Sequence, residues 1–161
     1  MRIYTLGTSN RTLEEFLDVL NFYQTKVVVD VRHFPTSRLF PHFKKENLEK
    51  FLKEKGVEYY HLENLGGYRK RGYEKYVQTK KFKEGIKRLI KIAQERPTVI
   101  ICAERLPWKC HRAYIAQELE KNKIWVIHII EKDKVWETRL EPKLINPACQ
   151  KKKNLKKLKK I

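Results

Sequence analysis

Residues 26–32 read KVVVDVR, a β-branched run that turns charged at its end. Apolar side chains in unbroken succession suit a strand covered on both faces, as parallel strands are, and the charged end marks its exit into solvent. Two further runs of this kind, TVIIC at 98–102 and IWVIHII at 124–130, recur down the chain. Residues 2–7 read as a first strand, and Thr12-Leu-Glu-Glu15 as a capping box opening a helix with Leu13, Phe16, Leu17 and Leu20 on one side. A helix over 46–55 stops at Gly56, and a strand follows at 57–62. Phe82, Ile86, Leu89, Ile90 and Ala93 lie at helical spacing and predict one long helix over 74–95. A helix over 110–121 precedes the strand at 124–130, and 135–138 suggests a short edge strand. Strand and helix alternate throughout, so the expected fold class is α/β. It is a single domain with a mostly parallel sheet of about five strands and helices on both faces. The domain is expected over 1–145, with a flexible Lys-rich tail at 146–161.

The 161 residues carry 37 Lys+Arg against 19 Asp+Glu, a formal charge of +18. Seven lysines and no acid fall within 151–160, which leaves +11 for the rest, since 18 − 7 = 11. An excess of this size points to a nucleic acid or another phosphate-rich polyanion as partner. The apolar runs are far too short to span a membrane, and no membrane association is expected. Three cysteines, an odd number, with no signal-like amino terminus argue against a disulfide framework and for a cytoplasmic location.

In a parallel sheet ligands gather beyond the carboxyl ends of the strands, and here those exits are polar. Gly7-Thr-Ser9-Asn10-Arg11 leaves the first strand, with a glycine for close backbone approach and hydroxyls suited to an anion at a helix start. Asp30 and Arg32 leave the second, followed by a Pro-bearing loop with Ser37 and Arg38. The segment 63–73, ENLGGYRKRGY, holds Gly66, Gly67 and Arg69 without periodicity, which marks a functional loop. The densest segment is Cys102-Ala-Glu104-Arg-Leu-Pro-Trp-Lys-Cys110-His111-Arg112. Cys110 stands at a helix start beside Lys109, His111 and Arg112, an environment that favours a thiolate. Cys102 is either a resolving thiol, a second ligand or a small buried residue. The spacing fits no standard zinc signature, and no metal residues or cofactor are assigned.

The ordered series GTSNR (7–11), DVRHFPTSR (30–38), LGG (65–67), GYEKY (72–76), CAE (102–104) and CHR (110–112) resembles the domain-of-unknown-function family DUF488. The resemblance runs from about Ile3 to Ile130. It implies a compact α/β domain with these motifs as its site, and hands over no reaction. Family members often carry histidine where this chain has Thr8, whereas Ser9 and Asn10 match.

Two function classes fit the residues. An enzyme would use Cys110 as nucleophile, Glu104 or His111 for proton transfer and Asp30 as orienter, with Cys102 close by. Arg32, Arg38, Arg69 and Arg112 would clamp an anion. A non-catalytic nucleic-acid-binding module would use the net charge and the loop Tyr68–Tyr73, whose rings stack on bases. A metal-binding protein is the third alternative. The preferred reading is an enzyme on a nucleic acid or phosphate compound, with Asp30, Arg32, Glu104, Cys110, His111 and Arg112 bordering one pocket.

Overall fold

The computed structural model describes residues 1–137. Its strands are β1 (Arg2–Gly7), β2 (Val27–Asp30), β3 (Glu58–His61), β4 (Thr98–Cys102), β5 (Trp125–Glu131) and β6 (Lys134–Glu137). Its helices are α1 (Leu13–Phe22), α2 (Lys45–Glu54), α3 (Tyr73–Tyr76), α4 (Lys80–Ala93) and α5 (Arg112–Lys121). The strands form one sheet in the order β3-β2-β4-β1-β5-β6. β1 to β5 are mutually parallel, and β6, the sixth strand, returns antiparallel along β5. The Lys-rich tail lies outside the described residues, as does the domain boundary expected at 145.

Alternation along the strands sorts the core into two layers, because neighbouring side chains on a strand point to opposite faces. Val27, Val29, Ile100 and Cys102 pack with Phe82, Ile86, Leu89 and Ile115 of α4 and α5. Val28, Val99 and Ile101 pack with Phe16, Leu20, Leu48 and Leu52 of α1 and α2. Helices therefore cover both faces. β1 continues into α1 on one face and β4 into α5 on the other, although β1 and β4 are neighbours. The chain thus leaves adjacent strand ends in divergent directions, which opens a crevice between them.

The single helix expected over 74–95 is instead two, α3 and α4. Thr79 is extended, its Oγ1 donates to Tyr76 O at 2.7 Å and accepts from Phe82 N at 3.3 Å, and so caps a new helix. The break has a purpose in packing. It aims the Tyr73 and Tyr76 hydroxyls at the carbonyls of Leu65 (2.8 Å) and Asn64 (2.6 Å), which ties down the glycine loop.

A buried polar chain runs beneath the crevice. Arg112 Nη1 donates to Thr5 Oγ1 at 3.1 Å, so the Thr5 hydroxyl is free to donate to His128 Nδ1, 2.7 Å away. Trp136 of β6 stacks on the His128 ring at 5.2 Å between centroids. Burial, reinforced by the positive Arg112, pushes the His128 pKa down to about 3. The unfolded side chain titrates near 6.5. Above that pH both states are neutral and the fold carries no penalty. Below it only the unfolded state takes up the proton, so this group should lower the unfolding free energy by about 1.4 kcal/mol per pH unit down toward pH 3. Urea denaturation from pH 7 to pH 4 should show a steeper loss for the native chain than for His128→Gln, whose side-chain oxygen still accepts from Thr5. Equal slopes would show that His128 is not held neutral.

Candidate active site

The crevice holds a cavity of about 580 Å³ lined by Arg32, His33, Phe34, Gly67, Tyr68, Arg69, Tyr73, Glu104, Lys109 and His111, with both Cys102 and Cys110 on its wall. A second cavity of about 460 Å³ adjoins it through Arg32, Phe34 and Ala103, and adds Thr8, Ser9, Asn10 and Ser37.

Cys102 ends β4 on the α4/α5 face and is buried. The following loop folds back through a turn of 3-10 helix at Pro107–Lys109, where the Cys110 amide donates to Pro107 O at 3.2 Å. That turn brings Cys110 Sγ to 2.7 Å from Cys102 Sγ, both thiols being free. The seven residues between them in sequence conceal this contact. His111 Nε2 lies 2.8 Å from the Val31 carbonyl, which can only accept, so the ring proton sits on Nε2. The lone pair of Nδ1 then faces Cys110 Sγ at 3.5 Å. Tyr73 packs against the imidazole, and Gly67 leaves it room, since a Cβ there would lie 3.1 Å from Nδ1.

Charge beneath the sulfurs is one-sided. Arg112 is wholly buried at the first turn of α5, and its Nη2 donates to Glu104 O. Its Nε has no partner, and among the described residues no carboxylate lies in ion-pair range of the guanidinium. Its backbone N–H points at Cys110 Sγ from 3.5 Å. The hydrogen bond from Cys102 holds the Cys110 pKa well below the ordinary thiol value; burial opposes it, and His111 and Arg112 reinforce it. Burial pushes the Cys102 thiol up, and its hydrogen bond to Cys110 pushes it further. Cys110 is therefore the thiol that ionises, with His111 Nδ1 placed to take its proton, and Cys102 donates to it.

The expectation that six named residues border one pocket is corrected at two of them. Arg112 lies under the floor rather than on the wall, with 0% of its surface exposed. Asp30 is likewise at 0%, because it pairs with Ile101 and so points to the α1/α2 face, away from Cys102. There its carboxylate takes Arg32 Nε at 2.9 Å, Arg32 Nη2 at 2.7 Å and Tyr59 Oη at 2.5 Å. Burial works against the Arg32 charge, but the hydrogen bond and charge of Asp30 outweigh it and raise the Arg32 pKa. Arg32 Nη1 also donates to Phe43 O at 2.7 Å.

The first loop departs from expectation too. The amides of Thr8, Ser9 and Arg11 donate to the carbonyls of Cys102 (2.7 Å), Ala103 (2.8 Å) and Thr8 (3.1 Å), so they form no anion cradle. Gly7 accommodates this chain rather than a ligand, as a Cβ there would meet Glu104 O at 2.1 Å. Ser9, Asn10 and Ser37 line the second cavity, whereas Arg38 is exposed and Gly66 packs on His33, neither lining either of these two cavities. The Glu104 carboxylate accepts from the Leu106 amide at 3.3 Å. Arg69 lies on the Tyr76 ring, 3.9 Å from its centroid, and bonds Glu63 O. Among the described residues no group of three His, Cys, Asp or Glu is placed to hold a metal ion, and no helix is long and apolar enough to cross a membrane.

Fold and crevice define a parallel α/β protein with two thiols at the carboxyl edge of its sheet. A family model, that of the domain of unknown function DUF488, matches residues 12–119, and the chain belongs to that family. No curated protein and no solved structure matches it.

Breaking the Asp30–Arg32 pair should be costly, since it strands a buried guanidinium. Asp30→Asn should lower the unfolding free energy by about 3–5 kcal/mol. Tyr59→Phe, which removes one hydrogen bond, should cost about 1 kcal/mol. Urea unfolding of both variants measures this, and an Asp30→Asn cost no larger than that of Tyr59→Phe would mean the pair is not essential to the fold.

Proposed function

We propose that this protein is an enzyme that uses Cys110 as a nucleophile on a phosphate-bearing substrate, a nucleotide or a strand of nucleic acid. The observation that carries this reading is the Nδ1 lone pair of His111, held toward Cys110 Sγ at 3.5 Å by the bond from Nε2 to Val31 O. A thiol beside a fixed ring nitrogen placed to take its proton is an activated nucleophile. The thiol proton passes to Nδ1. Sγ then bonds to the electrophilic centre of the substrate as the bond to the leaving group breaks, and the leaving group takes the proton from Nδ1. His111 suits proton transfer better than Glu104, whose carboxylate is engaged by the Leu106 amide.

Substrate class follows from the lining. Of the cations lining the cavity, Arg32 is paired with Asp30 and Arg69 with Glu63, which leaves the exposed Lys109, above the buried Arg112, to favour an anion. Phe34 and Tyr68 stand on its rim, 66% and 86% exposed, with ring centroids 6.1 Å apart. Exposed rings beside cations suit stacking on a base while the cations hold phosphate. That same rim is what favours the second reading, a binding module without catalysis.

Alkylation by iodoacetamide, with the label located by peptide mass, separates them. Cys110 should react at pH 7 at least about tenfold faster than a free low-molecular-weight thiol, and His111→Gln should remove most of that advantage. Adenosine monophosphate should protect Cys110, less so at high salt. A Cys110 that alkylates no faster than the free thiol removes the enzyme reading and leaves the binding module.

A further inference from the structure

We propose a second activity for this site: Cys102 and Cys110 form a dithiol–disulfide couple that reduces low-molecular-weight disulfides bearing carboxylates. It shares with the preceding reading only the reactivity of Cys110 and requires no phosphate compound.

Access sets the order in which the two thiols react. Cys110 is half-buried on the cavity wall, whereas Cys102 is 2% exposed and touches it from beneath. A disulfide entering the cavity therefore meets Cys110 first and leaves Cys102 to act second. Their sulfurs are in contact at 2.7 Å, so an adduct on Cys110 forms with the second thiol already in place. A lone nucleophile would use Cys102 only as a hydrogen-bond donor, whereas an exchange cycle also uses its sulfur. The cavity is large enough for a small peptide disulfide, and the exposed Lys109 on its wall, above the buried Arg112, favours carboxylates.

The exchange takes two steps. The Cys110 thiolate attacks one sulfur of the incoming disulfide; a bond forms from Cys110 Sγ to that sulfur, the substrate S–S bond breaks, and one thiolate leaves. It takes the proton stored on His111 Nδ1. Cys102 gives up its proton and attacks Cys110 Sγ, breaking the mixed disulfide, and the second thiolate departs with the Cys102 proton. In sum the protein dithiol is oxidised by two electrons to a Cys102–Cys110 disulfide, and the substrate is reduced to two thiols. A dithiol reductant reverses the protein step and closes the cycle.

The dithiobis(nitrobenzoate) reagent, a disulfide bearing carboxylates, reports each departing thiolate by colour. In a Cys149→Ser background only the two site thiols report. This protein should release two chromophores, retain no adduct and lose two hydrogens in mass. Adding Cys102→Ser should give one chromophore released, with the adduct retained on Cys110. Adding Cys110→Ser instead should slow the first release at least about tenfold. Oxidised glutathione and cystamine then test the charge preference, each rate divided by its rate with free cysteine. Oxidised glutathione should be favoured several-fold at low salt, and less at high salt. Two stable adducts, one on each cysteine, would overturn the couple while leaving Cys110 a nucleophile. An inert Cys110 would overturn both readings, and a cystamine rate equal to that of glutathione would overturn the substrate class.

Discussion

Everything at the carboxyl edge of this sheet is arranged around one buried cation. Arg112 sits with its guanidinium out of water, bonded to Thr5 on one side and Glu104 O on another, with no carboxylate to balance it among the described residues. A charge in that position is tolerable only where other groups solvate or oppose it. Thr5 and His128 supply a neutral hydrogen-bonded chain below, and the sulfurs supply negative charge above. The Arg112 pKa accordingly lies raised, because Cys102 and Cys110 outweigh the burial that works against its charge. The cation at Arg112 thus reinforces the thiolate that the hydrogen bond from Cys102 chiefly favours, and that thiolate in turn helps to hold the cation. A single residue, His111, separates the nucleophile on the cavity wall from the interior charge beneath it.

Asp30 and Arg32 are a parallel arrangement on the opposite face of the sheet, and the contrast is instructive. That pair is closed: carboxylate, guanidinium, tyrosine and carbonyl satisfy one another and leave little for a ligand. The thiol side is open to the cavity, with a half-buried sulfur and a ring nitrogen aimed at it. Two buried arginines within one crevice therefore play different parts, one holding the β2 exit to the α2 layer and the other charging the floor of a cavity.

The architecture was legible in the sequence because its evidence is local. Residues 27–29 and 98–102 are apolar on both faces, and only a doubly covered parallel sheet has room for such strands. The division of 74–95 into two helices was not legible, since Thr79 reads as one more polar residue until its cap on Phe82 is seen. In the site, Cys110 and His111 could be picked out from a helix start and its neighbours. Asp30 does not join them: strand exits reveal which edge a residue occupies but not which face. Facing depends on the register of Asp30 with Ile101, a long-range property. The contact between Cys102 and Cys110 was hidden for a related reason, as a loop of seven residues shows no sign of folding back until the turn at Pro107 is known.

Gly7 carries a consequence for how the crevice can behave. The backbone after β1 lies so close to the loop after β4 that a single added carbon would strike Glu104 O, and two hydrogen bonds, from Thr8 and Ser9, fasten the loops together. Both cavities are built on this junction and share Ala103. The floor is consequently preorganised: a guest arriving there finds groups already ordered, and little conformational entropy is lost in assembling them. Adaptation to guests of different shape falls instead to the rim, where Phe34 and Tyr68 stand largely in solvent. A stiff floor under an adjustable rim would let one arrangement of sulfur and imidazole serve a range of molecules, with selectivity residing in the rings and not in the reacting groups.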